Sequence, residues 1–142
     1  MFSGKKILIL DDDDVILKGF KKFFQKKAPD NEIITINRFS ERIYEIVQTC
    51  DAVIFDYYFD HKIKTHEMIH HTRKLNSDIF ILCCSGMFVV EHVRGNCIDE
   101  NTMKTCLNCG ANRVMPKDIE EVIDILAVHF ELRDSGELSS FT

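Results

Sequence analysis

The sequence predicts an α/β protein, a doubly wound parallel sheet with helices on both faces, and three observations predict it. Short apolar runs of strand length alternate with amphipathic segments of helical spacing five times along the chain. Four of those runs stop abruptly at polar residues: Ile7 to Leu10 at Asp11 to Asp14, Ala52 to Phe55 at Asp56, Ile79 to Cys84 at Ser85, and Arg113 to Met115, through Pro116, at Lys117. In an open parallel sheet, strand ends of one sense lie along one edge, and ligands bind there, where the strand order reverses. An acid pair, a single acid, a hydroxyl and a lysine therefore converge.

The elements follow in order. After the aspartates, Ile16, Leu17, Phe20, Phe23 and Phe24 recur at helical spacing with lysines between them. The turn Pro29-Asp30-Asn31 leads into a β-branched run from Glu32 to Ile36. Ser40 is the expected N-cap of a helix carrying Ile43, Ile46 and Val47. A loop and a helix near Thr65 to Leu75 follow the Asp56 strand, with Met68, Ile69 and Thr72 inward. The long stretch from Met87 to Cys109 holds a helix over its second half, ending at Gly110. Asp118 and Glu121 form a capping box for the last helix, which buries Ile119, Val122, Ile123, Leu126 and Phe130.

Composition narrows the function. At 142 residues the chain is one domain with room for a core, read as residues 1–132 followed by a polar tail over 133–142. Its net charge of -5 argues against sequence-independent nucleic-acid binding, which needs a basic face. No apolar stretch approaches the roughly 20 residues of a membrane span, and the N-terminus does not read as a signal peptide. The six cysteines are therefore expected to stay reduced, in the cytoplasm.

Clustered carboxylates repel one another, so a fold that gathers them at a strand end offsets the charge with a cation. Read alone, Asp11 to Asp14 are equally a solvated turn leading into a helix N-terminus that favours acids. Asp56, Ser85 and Lys117 at the neighbouring ends favour the cation site.

On these residues the chain resembles a response-regulator receiver domain over about residues 4–131, somewhat atypical and single-domain. Asp11 and Asp12 match the acid pair, Asp56 the phosphoacceptor, Ser85 the hydroxyl, Lys117 the lysine, and Gly110-Ala111 the Gly-Ala before the last strand. The resemblance implies the flavodoxin-like order 2-1-3-4-5 in a five-stranded parallel sheet with five helices. It implies Mg²⁺, or Mn²⁺ in its place, held by Asp12, Asp56 and the backbone carbonyl of Tyr58, with Asp11 on a metal-bound water. It also implies that Lys117 and Ser85 contact the phosphoryl group. A histidine kinase or phosphotransfer protein is the implied donor. The implied activity is Mg-dependent self-phosphorylation with slow autodephosphorylation, rather than that of a conventional enzyme.

The chain departs from the family in four places. The spacing of 32 between Ser85 and Lys117 exceeds the usual one, which places an insertion around 89–105. Asp118 stands where a proline follows the lysine, with Pro116 before it instead. A cis peptide without proline costs about 2.5–4 kcal/mol, so altered geometry is expected around Lys117. Val114 replaces the switch aromatic, and Phe59-Asp60 and Ile63-Lys64 replace Met-Pro and Asp-Gly. Tyr58 and Met87 are expected to shield a phosphoryl group and slow its hydrolysis.

Three other motifs compete. His66-Glu67-Met68-Ile69-His70 fits the zinc-peptidase pattern H-E-x-x-H, but no third ligand at family spacing is evident. Cys106 and Cys109, with Cys97 and His92, resemble half a zinc knuckle; the favoured reading is a pair of small buried residues on the inner helix face, not structural Zn²⁺. Cys83 and Cys84 are adjacent in a strand, face opposite ways and read as core.

The sequence therefore reads as a receiver acting through another protein, with no output domain, no nucleic-acid partner and no membrane. The alternatives are a phosphorylation-independent interaction module, and the N-terminal receiver of a longer regulator.

Overall fold

The structure, a computed structural model, describes residues 1–85 and 100–136, with Ser85 through its backbone alone. Five strands and five helices alternate: β1 (Lys6–Leu10), α1 (Asp14–Lys27), β2 (Glu32–Ile36), α2 (Arg42–Val47), β3 (Ala52–Asp56), α3 (Thr65–Leu75), β4 (Phe80–Ser85), α4 (Glu100–Cys109), β5 (Arg113–Pro116) and α5 (Ile119–Asp134). The strands are all parallel, in the order β2-β1-β3-β4-β5. This is the order and element count expected from the resemblance.

Successive strand residues point to opposite faces, and here both faces are covered. Ile7, Ile9, Ala52, Ile54, Leu82 and Cys84 pack with α1 and α5, while Leu8, Leu10, Val53, Phe55, Ile81 and Cys83 pack with α2, α3 and α4. Burial on both sides explains why the central strands read as continuous apolar runs. Cys83 and Cys84 divide between the two cores as their adjacency requires.

Local chemistry sets the helix ends. Asp13 caps α1 by accepting from the Val15 N–H at 2.9 Å. Gly110, at φ +124°, closes α4, and Ala111 N–H donates to Cys106 O at 3.1 Å. A side chain at Gly110 would meet Arg73 Cβ at 2.8 Å. Arg73 donates there to Gly110 O, Asn112 Oδ1, Ser77 O and Ile79 O, tying α3 to the connections around β4 and β5.

Several boundaries differ from expectation. The N-cap of α2 is Glu41, with no side-chain cap bond; Ser40 contributes its backbone carbonyl, which accepts from Ile43 N–H. Asp118 caps α5 by accepting from Glu121 N–H at 3.1 Å, but its own N–H donates to Pro116 O, so the box is made on one side only. The last helix continues through Arg133 and Asp134, read from sequence as the start of the tail. Lys5 holds Asp134 at 3.0 Å and Arg133 donates to Asp78 O, which extends the helix by its ends. Ile119 is only half-buried, whereas His129 is buried against Phe80, with ring centroids 4.2 Å apart. The insertion around 89–105 lies largely outside the described residues, as do His92 and Cys97.

Candidate functional site at the carboxyl edge of the sheet

The site is assembled by strand register. β1 and β3 are adjacent and in phase, with Leu10 beside Phe55, so Asp11 and Asp56 emerge side by side. Asp11 N–H still donates to Ile36 O at 3.2 Å, and Tyr57 N–H to Cys84 O at 2.9 Å, which carries ladder bonding past the strand ends on both sides. Asp11 and Asp56 are 2% and 5% exposed, an unusual burial for carboxylates. Asp12, beside them, is open to solvent.

The four aspartates have separate roles. Asp11 turns inward and accepts from Asp13 N–H at 2.9 Å; Asp13 caps α1; Asp14 sits in its first turn and accepts from Asn37 Nδ2 at 3.1 Å. The helix-terminus reading is thus correct for Asp13 and Asp14. Asp11 and Asp12 instead join Asp56, and one carboxylate oxygen from each lies within 4.8 Å of the others. At that spacing two unit charges repel by roughly 3–4 kcal/mol at an effective dielectric of about 20.

Lys117 answers part of this charge. Its Nζ lies 2.8 Å from Asp11 Oδ2 and 3.3 Å from Asp56 Oδ1, so it bridges the two buried acids and sits closer to Asp11. The peptide bonds around it are trans, as are all others among the described residues, yet the side chain reaches both acids without the family's proline. Burial alone would lower the Lys117 pKa, but the Asp11 hydrogen bond and the charges of Asp56 and Asp11 raise it overall. Three carboxylates against one ammonium leave negative charge over, and the donor set is all oxygen. Such a set fits a hard divalent cation.

Asp56 shows the imbalance directly. Burial first, and the Asp11 charge second, push its carboxyl up to about 6, against the opposing pull of Lys117 and the Tyr58 N–H. That N–H donates to Asp56 Oδ1 at 3.3 Å. Burial and the Asp11 charge also raise Asp12.

In the turn after Asp56, Phe59 and Asp60, read from the sequence only as replacements, and Thr65, which was not singled out, all make contacts. Phe59 is buried and its N–H donates to Asp56 O at 3.0 Å. Asp60 accepts from Phe39 N–H at 3.1 Å and Lys62 N–H at 2.9 Å, joining this loop to the one after β2. Thr65, 2% exposed, donates to Tyr57 O at 2.5 Å. Asp60 lay in plain view as a replacement in the loop; Thr65 has no sequence signal beyond its place at a helix start.

The other residues singled out from the sequence are placed as follows. Ser85 ends β4, paired with Pro116, one step past Cys84, which pairs with Asp56. Met87 lies outside the described residues. Tyr58 is 46% exposed at the edge of the turn. Val114 is half-buried and packs against both cores. His66 is half-buried and His70 exposed on α3; among the described residues only Asp11, Asp12 and Asp56 bring three metal-ligating side chains together. Cys106 is buried at the Cys83 thiol, and Cys109 is half-buried. Burial pushes the Cys84 thiol up to about 12, so it stays protonated at neutral pH.

No family model matches the chain, and no curated protein matches it. Solved structures do. A CheY-like response-regulator receiver from Methanospirillum hungatei superposes with a TM-score of 0.75 at 17% identity, over 94% of this chain and 99% of its own. The fold is that of receiver domains. A two-component response regulator from Clostridium difficile gives 0.70 at 18% identity, over 92% of this chain and 97% of its own. A response regulator from Burkholderia pseudomallei, solved with a phosphorylated aspartic acid, a calcium ion and citrate, gives 0.68 at 14% identity, over 96% of this chain and 76% of its own. In the receiver fold of this chain, no helix among the described residues is long and apolar enough to cross a membrane.

Proposed function

We propose that this protein is a receiver that accepts a phosphoryl group on Asp56 from a histidine kinase or phosphotransfer protein, with Mg²⁺ or Mn²⁺, and signals by protein contact. The observation that carries the reading is the Asp11, Asp12 and Asp56 cluster bridged by Lys117 at the carboxyl edge of a receiver fold. The Burkholderia neighbour, with its phosphorylated aspartate and calcium ion, supports it.

The residues divide the work as follows. Asp12, Asp56 and the Tyr58 carbonyl would hold the metal directly, and Asp11 would support it through a water. A divalent ion there supplies charge neutralisation, screening the Asp56 carboxylate from the phosphoryl oxygens it must approach. One Asp56 oxygen forms the new bond to phosphorus as the bond to the donor's imidazole nitrogen breaks. Lys117 shifts from the Asp56 carboxylate to a phosphoryl oxygen, and the Ser85 hydroxyl donates to another. Asp11, 2.8 Å from the ammonium, keeps Lys117 aimed at the site throughout. Tyr58, at the lip of the acceptor turn, screens the product from water and slows its hydrolysis.

A second reading is a phosphorylation-independent interaction module. It draws on Val114 and Asp118, which replace the aromatic and proline through which such a switch ordinarily acts. Calorimetric titration with Mg²⁺, followed by labelling with acetyl phosphate, separates the two. A Mg-dependent adduct that persists beyond seconds supports the switch. Metal binding without an adduct, or neither, leaves the interaction module.

A further inference from the structure

We propose that Thr65 is a positioning residue for the acceptor carboxylate, its hydroxyl holding one end of the peptide whose other end holds Asp56. The proposal rests on the reading of Asp56 as acceptor. The peptide in question joins Tyr57 to Tyr58. Its carbonyl, Tyr57 O, accepts from Thr65 Oγ1 at 2.5 Å, and its N–H, on Tyr58, donates to Asp56 Oδ1 at 3.3 Å. Because a peptide is planar, fixing the carbonyl also fixes the direction of the N–H. Hydrogen bonds in a chain polarise one another, so a donor on the carbonyl also strengthens the N–H as a donor.

The two bonds are unequal. The Tyr58 N–H contact is long and depends on the tilt of the peptide, whereas the Thr65 contact is short and made from a buried side chain. The orientation is therefore set at the threonine end and felt at the carboxylate end. Thr65 Oγ1 also lies 3.4 Å from Asp56 O, so the same hydroxyl contacts the acceptor's own backbone.

The loop needs such a hold. Residues 57–64, from Tyr57 to Lys64, contain neither proline nor glycine, so no residue within them restricts φ or supplies an unusual turn. Lys64, the N-cap of α3, makes no side-chain cap bond. Asp60 fastens the middle of the loop to the Phe39 backbone, and Tyr57 N–H fastens its start to β4. Thr65 donates to the carbonyl of the peptide whose N–H touches the Asp56 carboxylate. It stands on the first residue of α3, so the rigid helix is the reference for the acceptor's aim.

The test compares Thr65→Val, which removes the hydroxyl at nearly constant volume, with Thr65→Ser, which keeps it. In the metal-free protein, NMR-detected exchange of the Tyr58 amide is expected to be about fivefold faster in Thr65→Val and near wild type in Thr65→Ser, the scale of one lost hydrogen bond. Mg²⁺ affinity is expected to fall by a similar factor in the valine variant alone. Unchanged Tyr58 exchange in Thr65→Val, or equal damage in Thr65→Ser, overturns the proposal. If wild type takes no phosphoryl group but the Tyr58 amide responds as expected, the positioning role stands and the acceptor reading falls. Should the valine variant fail to fold, Thr65→Ala against Thr65→Ser makes the same comparison.

Discussion

Asp11 and Asp56 leave two adjacent interior strands of the sheet, whereas Lys117 leaves β5 at its edge, and the two halves of the site are held differently. On the acidic side the backbone does the placing: β1 and β3 are in register, ladder bonds continue past both strand ends, and the carboxylates are nearly enclosed. On the basic side a flexible side chain does it. Lys117 follows a short strand of four residues, and its ammonium reaches across to both acids. Three of the four departures from the receiver pattern, Val114, Asp118 and the longer spacing after Ser85, fall on this second side, and the fourth lies in the loop after Asp56. A long side chain absorbs backbone changes that a carboxylate fixed at a strand end does not. The placement of the two acids is thus separable from that of the lysine.

Removing the bridge tests this division most severely. Lys117→Ala leaves two buried carboxylates facing each other, and loss of one partner from a buried ion pair is expected to cost about 3 kcal/mol by urea unfolding at pH 7.5. The deficit should shrink near pH 5, where a carboxyl protonates, and Mg²⁺ should restore part of it. A loss that ignores both pH and metal would mean that Lys117 supports packing rather than charge.

A smaller effect of opposite sign is expected at Asp56. Its pKa in the fold, about 6, lies above the ordinary value of 3.8, so the fold favours the protonated carboxyl. Its contribution to stability is full below about pH 4 and is lost as pH rises through 6. Asp56→Asn should therefore stabilise the metal-free protein at pH 7.5, on the order of 2 kcal/mol. The gain should vanish at pH 4 and reverse in saturating Mg²⁺, which is expected to bind wild type more tightly. Thermal melts at the two pH values, with and without metal, give the answer.

The smallest effect belongs to the side where the pattern has drifted. Asp118→Ala removes the α5 cap and should lower stability by about 1 kcal/mol, while Mg²⁺ affinity remains at the wild-type value. A change in metal affinity would show that the helix start and the acid cluster are coupled, against the division drawn above.

The sequence displayed what depends on strand ends and concealed what depends on folding across loops. Apolar runs ending in Asp11, Asp56, Ser85 and Lys117 were enough to place the acid cluster, because register in a parallel sheet leaves little choice. The doubly buried strands were equally legible. Thr65 and Arg73 were not, since each acts on backbone carbonyls, and a carbonyl carries no residue signature. Ser40 was misplaced for a related reason: its backbone, rather than its hydroxyl, meets the start of α2. The last helix ran past its expected end because Lys5 and Asp78, remote in sequence, hold its final turn.

Phosphorylation of Asp56 can be read from the intact mass of the protein after incubation with Mg²⁺ and acetyl phosphate, for wild type and Asp56→Asn. A single phosphoryl adduct in wild type, absent from the variant and absent when Mg²⁺ is chelated, is the predicted result. A correctly folded wild type with no adduct, or an adduct that survives Asp56→Asn, would contradict it.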